Sequence, residues 1–189
     1  MGVIIGFVGP PQSGKDTACD YLVEKHGFHK FSFADAIRES LIEIDPWADS
    51  FLRVSEVVKR WGWNHAKLHF PEIRRLLQTL GYEAGRKIHG DDIWVDKTMA
   101  QVDQLKGENI CIADVRFKNE LFAINRRGGL ICRVRRTVPM SNEVLSHLSE
   151  IESGSLVPDL SIYNHTDITD YQRRLERTLT DVRQRLGVS

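Results

Sequence analysis

The beginning of the chain restricts its fold more than any other part of the sequence. An apolar run, Val3–Val8, ends at Gly9, and Gly14 and Lys15 follow after four further residues. A short apolar run is typical of a strand buried on both faces. The amphipathic pattern after Lys15 predicts a helix. The chain therefore starts as a strand, a glycine-rich loop and a helix.

The spacing of this loop is that of a phosphate-binding loop. In such loops the glycines allow successive backbone N–H groups to surround phosphate oxygens, and the lysine reaches the β and γ positions. The helix that follows adds the positive end of its dipole. The position at the first strand-to-helix junction is the one this mechanism requires. We therefore expect phosphate groups to bind at Gly9, Ser13, Gly14 and Lys15.

Asp16 stands where the usual loop pattern has Ser or Thr. The sequence from Gly9 to Thr17 nevertheless closely resembles the loop of nucleoside monophosphate kinases such as adenylate kinase, in which the residue after the lysine is also not the hydroxyl residue. The resemblance implies that Thr17 faces the nucleotide phosphates. Two interpretations of Asp16 stay open: it holds Mg²⁺ directly or through water, or it is a helix-terminal carboxylate stabilised by the dipole.

Composition limits the class of partner. The chain has 189 residues and a formal net charge of +0, so it fits one domain and offers no global field for nucleic acid or an anionic membrane. Cys19, Cys111 and Cys132 lie in apolar contexts, which predicts buried reduced thiols. The start of the chain lacks a signal-peptide pattern, and no apolar run is long enough to span a membrane. We expect a cytoplasmic protein with small-molecule substrates; a monomer and a homodimer stay open.

The rest of the chain alternates strands and helices. An amphipathic segment over 36–44, a helical segment over 117–127 and a final helix with a capping-box pattern from Thr169 to Gln172 accompany the further strands. Those strands are predicted at 31–33, 109–113, 130–134 and 160–163. Residues 46–105 are helical in pattern. This order predicts a three-layer α/β domain with a mostly parallel central sheet flanked by helices, and ligands at the carboxyl ends of the strands.

A second group of polar residues follows helical spacing. On an α-helical wheel, Arg75, Gln78, Tyr82 and Arg86 form a narrow polar stripe opposite an apolar face. Guanidinium groups suit a phosphate, an amide suits a base edge and a phenol suits a ring or sugar. The stripe is thus a candidate wall for a phosphate-bearing acceptor. A solvated helix surface is the alternative.

Acidic and basic residues also follow two of the predicted strands. Asp114 and Arg116 come after the strand 110–113, as the aspartate of a Walker B arrangement does. Such an aspartate can hold Mg²⁺, and the arginine can reach a phosphate; a structural ion pair is the alternative. Asp35 and Arg38 follow the second strand in the same way and suit an acceptor sugar or phosphate. A helix-terminal aspartate is the alternative there.

Three arginines end the fourth strand. Alternation places Arg133 and Arg135 on one face and Arg136 on the other. The polar segment 137–160 that follows is a lid candidate, because an arginine at the base of a closing segment can neutralise a transferring phosphoryl group while water is excluded. Residues 147–150 within it could equally form plain surface helix.

Several segments together, in the same order, resemble the deoxynucleoside monophosphate kinases of tailed bacteriophages. They are the phosphate loop, Leu77–Arg86, Asp92–Trp94, Asp114–Glu120, His147–Glu150 and the late Asn164. The resemblance implies a P-loop NTPase fold with a helical acceptor-binding insertion and a lid, ATP and Mg²⁺ as cofactors, and conversion of deoxynucleoside monophosphates to diphosphates. A phage-encoded protein of this kind would work in the host cytoplasm. Tyr82 stands where relatives often have Thr.

Residue roles follow from the motif positions. The predicted catalytic residues are Lys15, Arg86, Asp114, Arg116 and Arg136. The predicted metal ligands are Asp16, Thr17 and Asp114. The predicted acceptor-binding residues are Asp35, Arg38, Arg75, Gln78, Tyr82, Arg86, Trp94 and Glu150. Glu120 belongs to the strand-end motif without an assigned role.

Other functions fit parts of this pattern. Another small-molecule P-loop kinase, of the dephospho-coenzyme A or phosphomevalonate type, would share the phosphate loop, and the latter also tolerates Asp after the loop lysine. A nucleotide-binding switch without phosphotransfer would leave the stripe from Arg75 to Arg86 unexplained. We expect a single kinase domain over 1–189, with its acceptor region at about 46–105.

Overall fold

A computed structural model describes residues 2–136, 154–165 and 167–188. The chain divides into two compact units. Met1–Ser32 and Met99–Ser189 form the first, and Phe33–Thr98 form the second. Most of the predicted lid over 137–160, including Glu150, lies outside the described residues. The single domain with an acceptor region and a lid stays a prediction.

The first unit is built on a five-stranded sheet whose paired strands are all parallel. Its strands are β1 (Ile4–Val8), β2 (His29–Phe31), β3 (Ile110–Val115), β4 (Leu130–Arg136) and β5 (Leu160–Asn164), in the order β2-β3-β1-β4-β5. Because β1 is central, the loop that follows it is flanked by the carboxyl ends of β3 and β4. This confirms the predicted α/β architecture.

The described helices carry the rest of both units. They are α1 (Lys15–His26), α2 (Asp35–Ile44), α3 (Val54–His69), α4 (Pro71–Gln78), a π-helix (Thr79–Arg86), α5 (Lys87–His89), α6 (Ile93–Gln104), α7 (Lys118–Asn125) and α8 (Ile168–Leu186). Apart from an isolated bridge between Trp47 and Arg53, the described middle segment is helical, as predicted. Within the described residues, no helix is both long and apolar enough to cross a membrane.

The core of the first unit lies between the sheet, α1 and α8. The stripe Leu175, Leu179 and Val182 of α8 is buried, as its spacing predicts. All three cysteines are buried free thiols, which confirms their predicted place in the core. Burial raises the pKa of the Cys132 thiol to about 12, so this thiol stays protonated at neutral pH.

Several predicted boundaries are wrong, among them the end of β4, which runs to Arg136 and not to 134. The edge strand β2 lies two residues earlier than expected, because its pairing with β3 starts at His29. Strand β3 continues to Val115, so Asp114 lies within the strand and not after it. The capping box expected at Thr169 is absent from α8. Asp167 is the N-cap, and its carboxylate accepts from the Asp170 N–H at 2.7 Å, which satisfies that exposed amide.

The second unit has its own apolar core. It consists of Leu41, Ala48, Val54, Val57, Ala66 and Ile73. Helix α3 is broken at Gly62, whose φ of 76° is not helical and suits glycine. Each side of this break contributes to the core, so the break sets the direction of the second half of α3.

A π-helix follows α4 without a loop, which α-helical spacing did not predict. The indole N–H of Trp94 donates to the Gly81 carbonyl at 2.8 Å. A Cβ at Gly85 would lie 2.5 Å from Trp94 Cζ2, which real Cβ atoms do not tolerate. The indole therefore packs directly against the backbone of the π-helix, and Gly85 makes that approach possible.

We expect Gly85→Ala to destabilise the protein by about 1–3 kcal/mol, because the added methyl group overpacks the Trp94 contact. Gly81→Ala is the matched control, since its Cβ would meet only the end of the Ile37 side chain, Cδ1, at 3.2 Å. Chemical denaturation of both variants measures the difference. Equal midpoints for the two alanine variants would contradict the packing argument.

Candidate functional site

The phosphate loop, residues 9–17, has a backbone that only particular residues allow. Gly9 and Gly14 have φ angles of 155° and 107°, and Gln12 has a φ of 58°. A Cβ at Gly9 would lie 2.5 Å from the Val134 carbonyl oxygen of β4. Strain at Gln12 is of the kind found in functional loops. The loop thus curves tightly between β1 and α1, as the motif predicts.

Lys15 is the first residue of α1 and is buried. Its ammonium group donates to the carbonyls of Gly9 at 2.8 Å and Pro10 at 2.7 Å. The charge is therefore held against the loop backbone at the positive end of the α1 dipole. Two cationic features at one point make this position attractive to an anion.

Ser13 supplies an independent sign of a ligand. Its side chain is fully buried, and among the described residues its Oγ is the only buried side-chain nitrogen or oxygen without a hydrogen-bond partner. A buried hydroxyl without a partner costs free energy, so it is rare outside functional sites. A phosphate oxygen in the loop would offer it an acceptor. The loop residues therefore fit a bound phosphate group.

Asp16 lies on the exposed first turn of α1 and pairs with Lys30 of β2 at 3.0 Å. Lys30 also binds Asp20 at 2.9 Å. Burial favours the neutral amine of Lys30, but the hydrogen bonds to Asp20 and Asp16 outweigh it and raise its pKa above the usual value. The Lys30 pairing gives Asp16 a structural contact. As a carboxylate beside the loop, it also remains a candidate metal ligand.

Asp114 lies where β3 departs from regular pairing. Gly6 pairs with Ile112 and Val8 with Val115, which leaves one extra residue on β3. Such a bulge changes the direction of side chains near strand ends. Asp114 Oδ2 accepts from the Ser32 hydroxyl at 2.6 Å. Ser32 was not predicted as a site residue. Its position directly after β2, at the carboxyl end of that strand, is the feature of the sequence that could have indicated it.

Glu120 is buried and holds the turn after β3. Its Oε2 accepts from the backbone N–H groups of Arg116 at 2.7 Å and Phe117 at 3.1 Å. These bonds cap the start of α7 and fix the backbone from which the Arg116 side chain projects. Both bonds are to backbone groups, so Glu120 positions the backbone of the strand-end motif.

Arg136 ends β4 and contacts the phosphate loop. Val8 pairs with Arg133, so β4 runs three residues beyond β1, beside the loop. The Arg136 Nη1 donates to the Gln12 carbonyl at 2.7 Å. Arg133 instead donates to the Leu156 carbonyl at 2.6 Å. The two side chains thus have different partners, in line with their predicted opposite faces.

The candidate acceptor stripe lies in the second unit and spans two kinds of helix. Arg75 is exposed on α4 and forms a two-bond pair with Glu72 at 2.8 and 2.6 Å. Arg86 ends the π-helix, is buried, and donates to the Asp91 carbonyl at 2.8 Å. Tyr82 is exposed. Because 79–86 is a π-helix, an α-helical wheel does not give the directions of Tyr82 and Arg86.

The remaining acceptor candidates lie elsewhere in the second unit. Trp94 is buried against the π-helix through the Gly81 contact, and Gln78 is the last residue of α4. Asp35 and Arg38 pair at 2.7 Å on α2 and line a groove that Trp63 also lines. Asp35 is the first residue of α2, as its helix-terminal interpretation requires, and it also lines this groove. Both interpretations of Asp35 therefore stay open.

The sheet brings part of the predicted site together. The phosphate loop follows β1, Asp114 and Arg116 lie at the carboxyl end of β3, and Arg136 ends β4; these three strands are adjacent in the sheet. In the part of the chain that is described, no group of three or more His, Cys, Asp or Glu side chains could hold a metal ion. Mg²⁺ at phosphates commonly takes one or two carboxylates, so the oxygen donors Asp16, Thr17 and Asp114 fit that chemistry.

We expect Ser13→Ala to lower the affinity for ATP several-fold while leaving the free energy of unfolding unchanged or raised by about 1 kcal/mol, because no hydrogen bond of Ser13 Oγ is lost. Ser32→Ala is the control: it removes the bond to Asp114 and should cost about 1 kcal/mol. Calorimetric titration and denaturation measure the two effects. An ATP affinity that Ser13→Ala leaves unchanged would refute the role of this hydroxyl.

Comparison with known proteins supports the architecture. No protein-family model matches the chain. A solved dephospho-CoA kinase from Campylobacter jejuni superposes with a TM-score of 0.51 at 13% identity, covering 96% of this chain and 98% of that one. At this identity the likeness concerns the fold alone.

Two viral proteins are similar in sequence. One, from Acanthamoeba polyphaga mimivirus, bears the name "Putative deoxynucleotide monophosphate kinase" and is 27% identical over 92% of this chain and 94% of its own length. The other, the uncharacterized protein ORF77 of Ictalurid herpesvirus 1 (strain Auburn), is 25% identical over 94% of this chain and 71% of its own. The comparisons confirm two statements made from the sequence: the chain has an α/β P-loop NTPase fold, and it resembles the nucleoside monophosphate kinases of that superfamily.

Proposed function

We propose that this protein transfers the γ-phosphoryl group of ATP to a deoxynucleoside monophosphate, giving the diphosphate. The observation that carries the proposal is the phosphate loop, with Lys15 held at its backbone and the buried Ser13 hydroxyl without a partner. The mimivirus relative, similar over 92% of this chain, supports the choice of acceptor through its name. The arginines at the strand ends support phosphoryl transfer.

The reaction needs positioning and charge neutralisation more than proton transfer. The acceptor's phosphate oxygen attacks the γ-phosphorus, a new P–O bond forms, and the bond to the leaving ADP oxygen breaks. A phosphate monoester has a second pKa of about 6, so it is already largely ionised at neutral pH and requires no general base. Rate enhancement then depends on in-line alignment and on stabilising the equatorial oxygens.

Residues of the first unit would carry this stabilisation. Lys15 and the amides of the phosphate loop bind the β and γ phosphates. Arg136, which contacts the loop at Gln12, and Arg116, whose backbone Glu120 fixes, supply positive charge near the transferred group. When bound, Mg²⁺ neutralises charge on the β and γ oxygens, and Asp16, Thr17 and Asp114 are the residues that would hold it.

Residues of the second unit would bind the acceptor. Arg86 suits the acceptor phosphate because its guanidinium is buried and fixed by the Asp91 carbonyl. Arg75 would have to exchange its Glu72 partner for a phosphate. Tyr82 and Gln78 suit the base or sugar, and Trp94 supports the π-helix that carries Arg86 and Tyr82. The Asp35 and Arg38 pair and Glu150 complete the proposed acceptor set.

The direct test measures ADP formation from ATP and Mg²⁺ with each deoxynucleoside monophosphate, its ribonucleotide counterpart, dephospho-coenzyme A and phosphomevalonate. We expect turnover with at least one deoxynucleoside monophosphate, and at least about a hundredfold loss in Lys15→Met because a transition-state charge is no longer neutralised. Lys25→Met, on the exposed last turn of α1, is the control and should retain activity.

Two results would count against the proposal. Turnover confined to dephospho-coenzyme A or phosphomevalonate would establish the alternative kinase. ATP binding without any acceptor-dependent ADP formation would favour a nucleotide-binding switch.

The role of Asp16 has its own test. If Asp16 helps to hold Mg²⁺, Asp16→Asn should raise the Mg²⁺ concentration for half-maximal turnover about tenfold or more, because a carboxylate ligand is lost, and should change acceptor KM little. Asp20→Asn is the matched control variant, since Asp20 binds the same Lys30 but lies one helical turn further from the loop. Steady-state kinetics over a Mg²⁺ series measure both. The same Mg²⁺ dependence in both variants would leave Asp16 a structural helix-terminal carboxylate.

A further inference from the structure

Two side chains from the end of the chain hold the backbone of the phosphate loop. Asn164 ends β5, and its amide nitrogen donates to the Ser13 carbonyl at 2.9 Å. Tyr171 lies in α8, and its hydroxyl donates to the Gly14 carbonyl at 3.0 Å. These are long-range contacts, 151 and 157 residues apart in sequence, to two consecutive carbonyls.

The direction of a carbonyl fixes the direction of the next amide. A trans peptide unit is planar, and its C=O and N–H bonds point to opposite sides. The unit whose carbonyl belongs to Ser13 carries the N–H of Gly14, and the unit whose carbonyl belongs to Gly14 carries the N–H of Lys15. Drawing both carbonyls toward Asn164 and Tyr171 therefore turns these two N–H groups away from β5 and α8.

We propose that Asn164 and Tyr171 are positioning residues that pre-orient the Gly14 and Lys15 amides for phosphate. The inference rests on the proposed function only in taking phosphate as the ligand of the loop. Amides fixed before binding cost no reorganisation when the anion arrives, which increases affinity and the stabilisation of developing charge.

The surroundings suit this role. Tyr171 is almost fully buried, and burial raises its pKa above the usual value, so the hydroxyl stays a donor at neutral pH. Asn164 is a neutral donor and adds no negative charge beside a phosphate. The Gly14 carbonyl also accepts the Ala18 N–H at 2.9 Å, the first bond of α1, so the Tyr171 contact is in addition to the helical one.

The conformation of Gly14 explains why the loop benefits from Asn164 and Tyr171, which we call the anchors of the loop. A Cβ there would lie 2.5 Å from the Asn164 amide nitrogen and 3.3 Å from the Tyr171 ring. Only glycine permits this approach, and its φ of 107° also requires glycine. Glycine, however, leaves the backbone free to rotate, so the anchors restrict the residue whose mobility would most disturb the loop.

The experiment compares two tyrosine variants at the same helix pair. Tyr171→Phe removes only the hydroxyl that contacts the loop. Tyr21→Phe removes a hydroxyl that donates from α1 to Glu176 of α8 at 2.6 Å, away from the loop. Calorimetric titration with inorganic tripolyphosphate and with ATP measures affinity, and thermal unfolding measures stability. We expect Tyr171→Phe to lower the affinity for both ligands about three- to tenfold, which corresponds to the loss of one hydrogen bond. Tyr21→Phe should leave both affinities unchanged.

Asn164→Ala provides a second, independent variant in case Tyr171→Phe does not fold. It should lower the affinity for tripolyphosphate by a similar factor. In amide NMR spectra of the unaltered protein, the Gly14 and Lys15 signals should shift on adding tripolyphosphate, and less so in either anchor variant at the same ligand concentration. In kinetics, KM for ATP should rise while KM for the acceptor stays unchanged.

The outcomes separate this inference from the proposed function. If the unaltered protein binds tripolyphosphate in the expected way but phosphorylates no nucleoside monophosphate, the proposed function fails and the positioning role stands. The inference is overturned if anchor variants that fold bind tripolyphosphate as tightly as the unaltered protein. It is also overturned if Tyr21→Phe loses as much affinity as Tyr171→Phe, or if the unaltered protein binds neither ligand.

Discussion

The close packing of the phosphate-loop backbone against its neighbours is the constraint on which the site depends. The loop must turn sharply after β1 and still direct its amides to one side. Gly9 meets this demand against the Val134 carbonyl of β4, and Gly14 meets it against the side chains of Asn164 and Tyr171. A methyl group at either position would displace its neighbours, so the packing of β4, β5 and α8 and the curvature of the loop require one another.

This constraint also explains how the polar residues of the first unit are arranged. The central place of β1 puts the loop between β3 and β4, whose ends carry Asp114 and Arg136. Several polar side chains there bind backbone atoms: those of Lys15, Glu120 and Asn164 do so in buried or half-buried contacts, and that of Arg136 does so in an exposed one. Polar and charged side chains thereby hold peptide groups in fixed directions, which is what a site based on electrostatic stabilisation requires.

Much of this unit could be predicted from the chain alone. The apolar runs, the glycine spacing and the helical stripes are local patterns, and their period follows from strand and helix geometry, so the parallel α/β architecture and the loop were both predicted. The second unit was predicted less well. The residue types over 79–86 also fit an α-helix, so the i→i+5 bonding of the π-helix was not predicted. In the structure the Trp94 indole packs against the backbone of this π-helix at Gly81 and Gly85.

The sequence by itself determined the α/β fold class and the position of the glycine-rich loop, because a strand, a glycine loop, a lysine and a helix are adjacent in the chain and need no distant partner to be recognised. Only the tertiary structure decided how the loop is held and what Asp16 contacts. Lys30, Ser32 and Tyr171 acquire their roles through sheet register and helix packing. Contacts between residues far apart in sequence depend on those tertiary arrangements, and no local pattern of residue types encodes them.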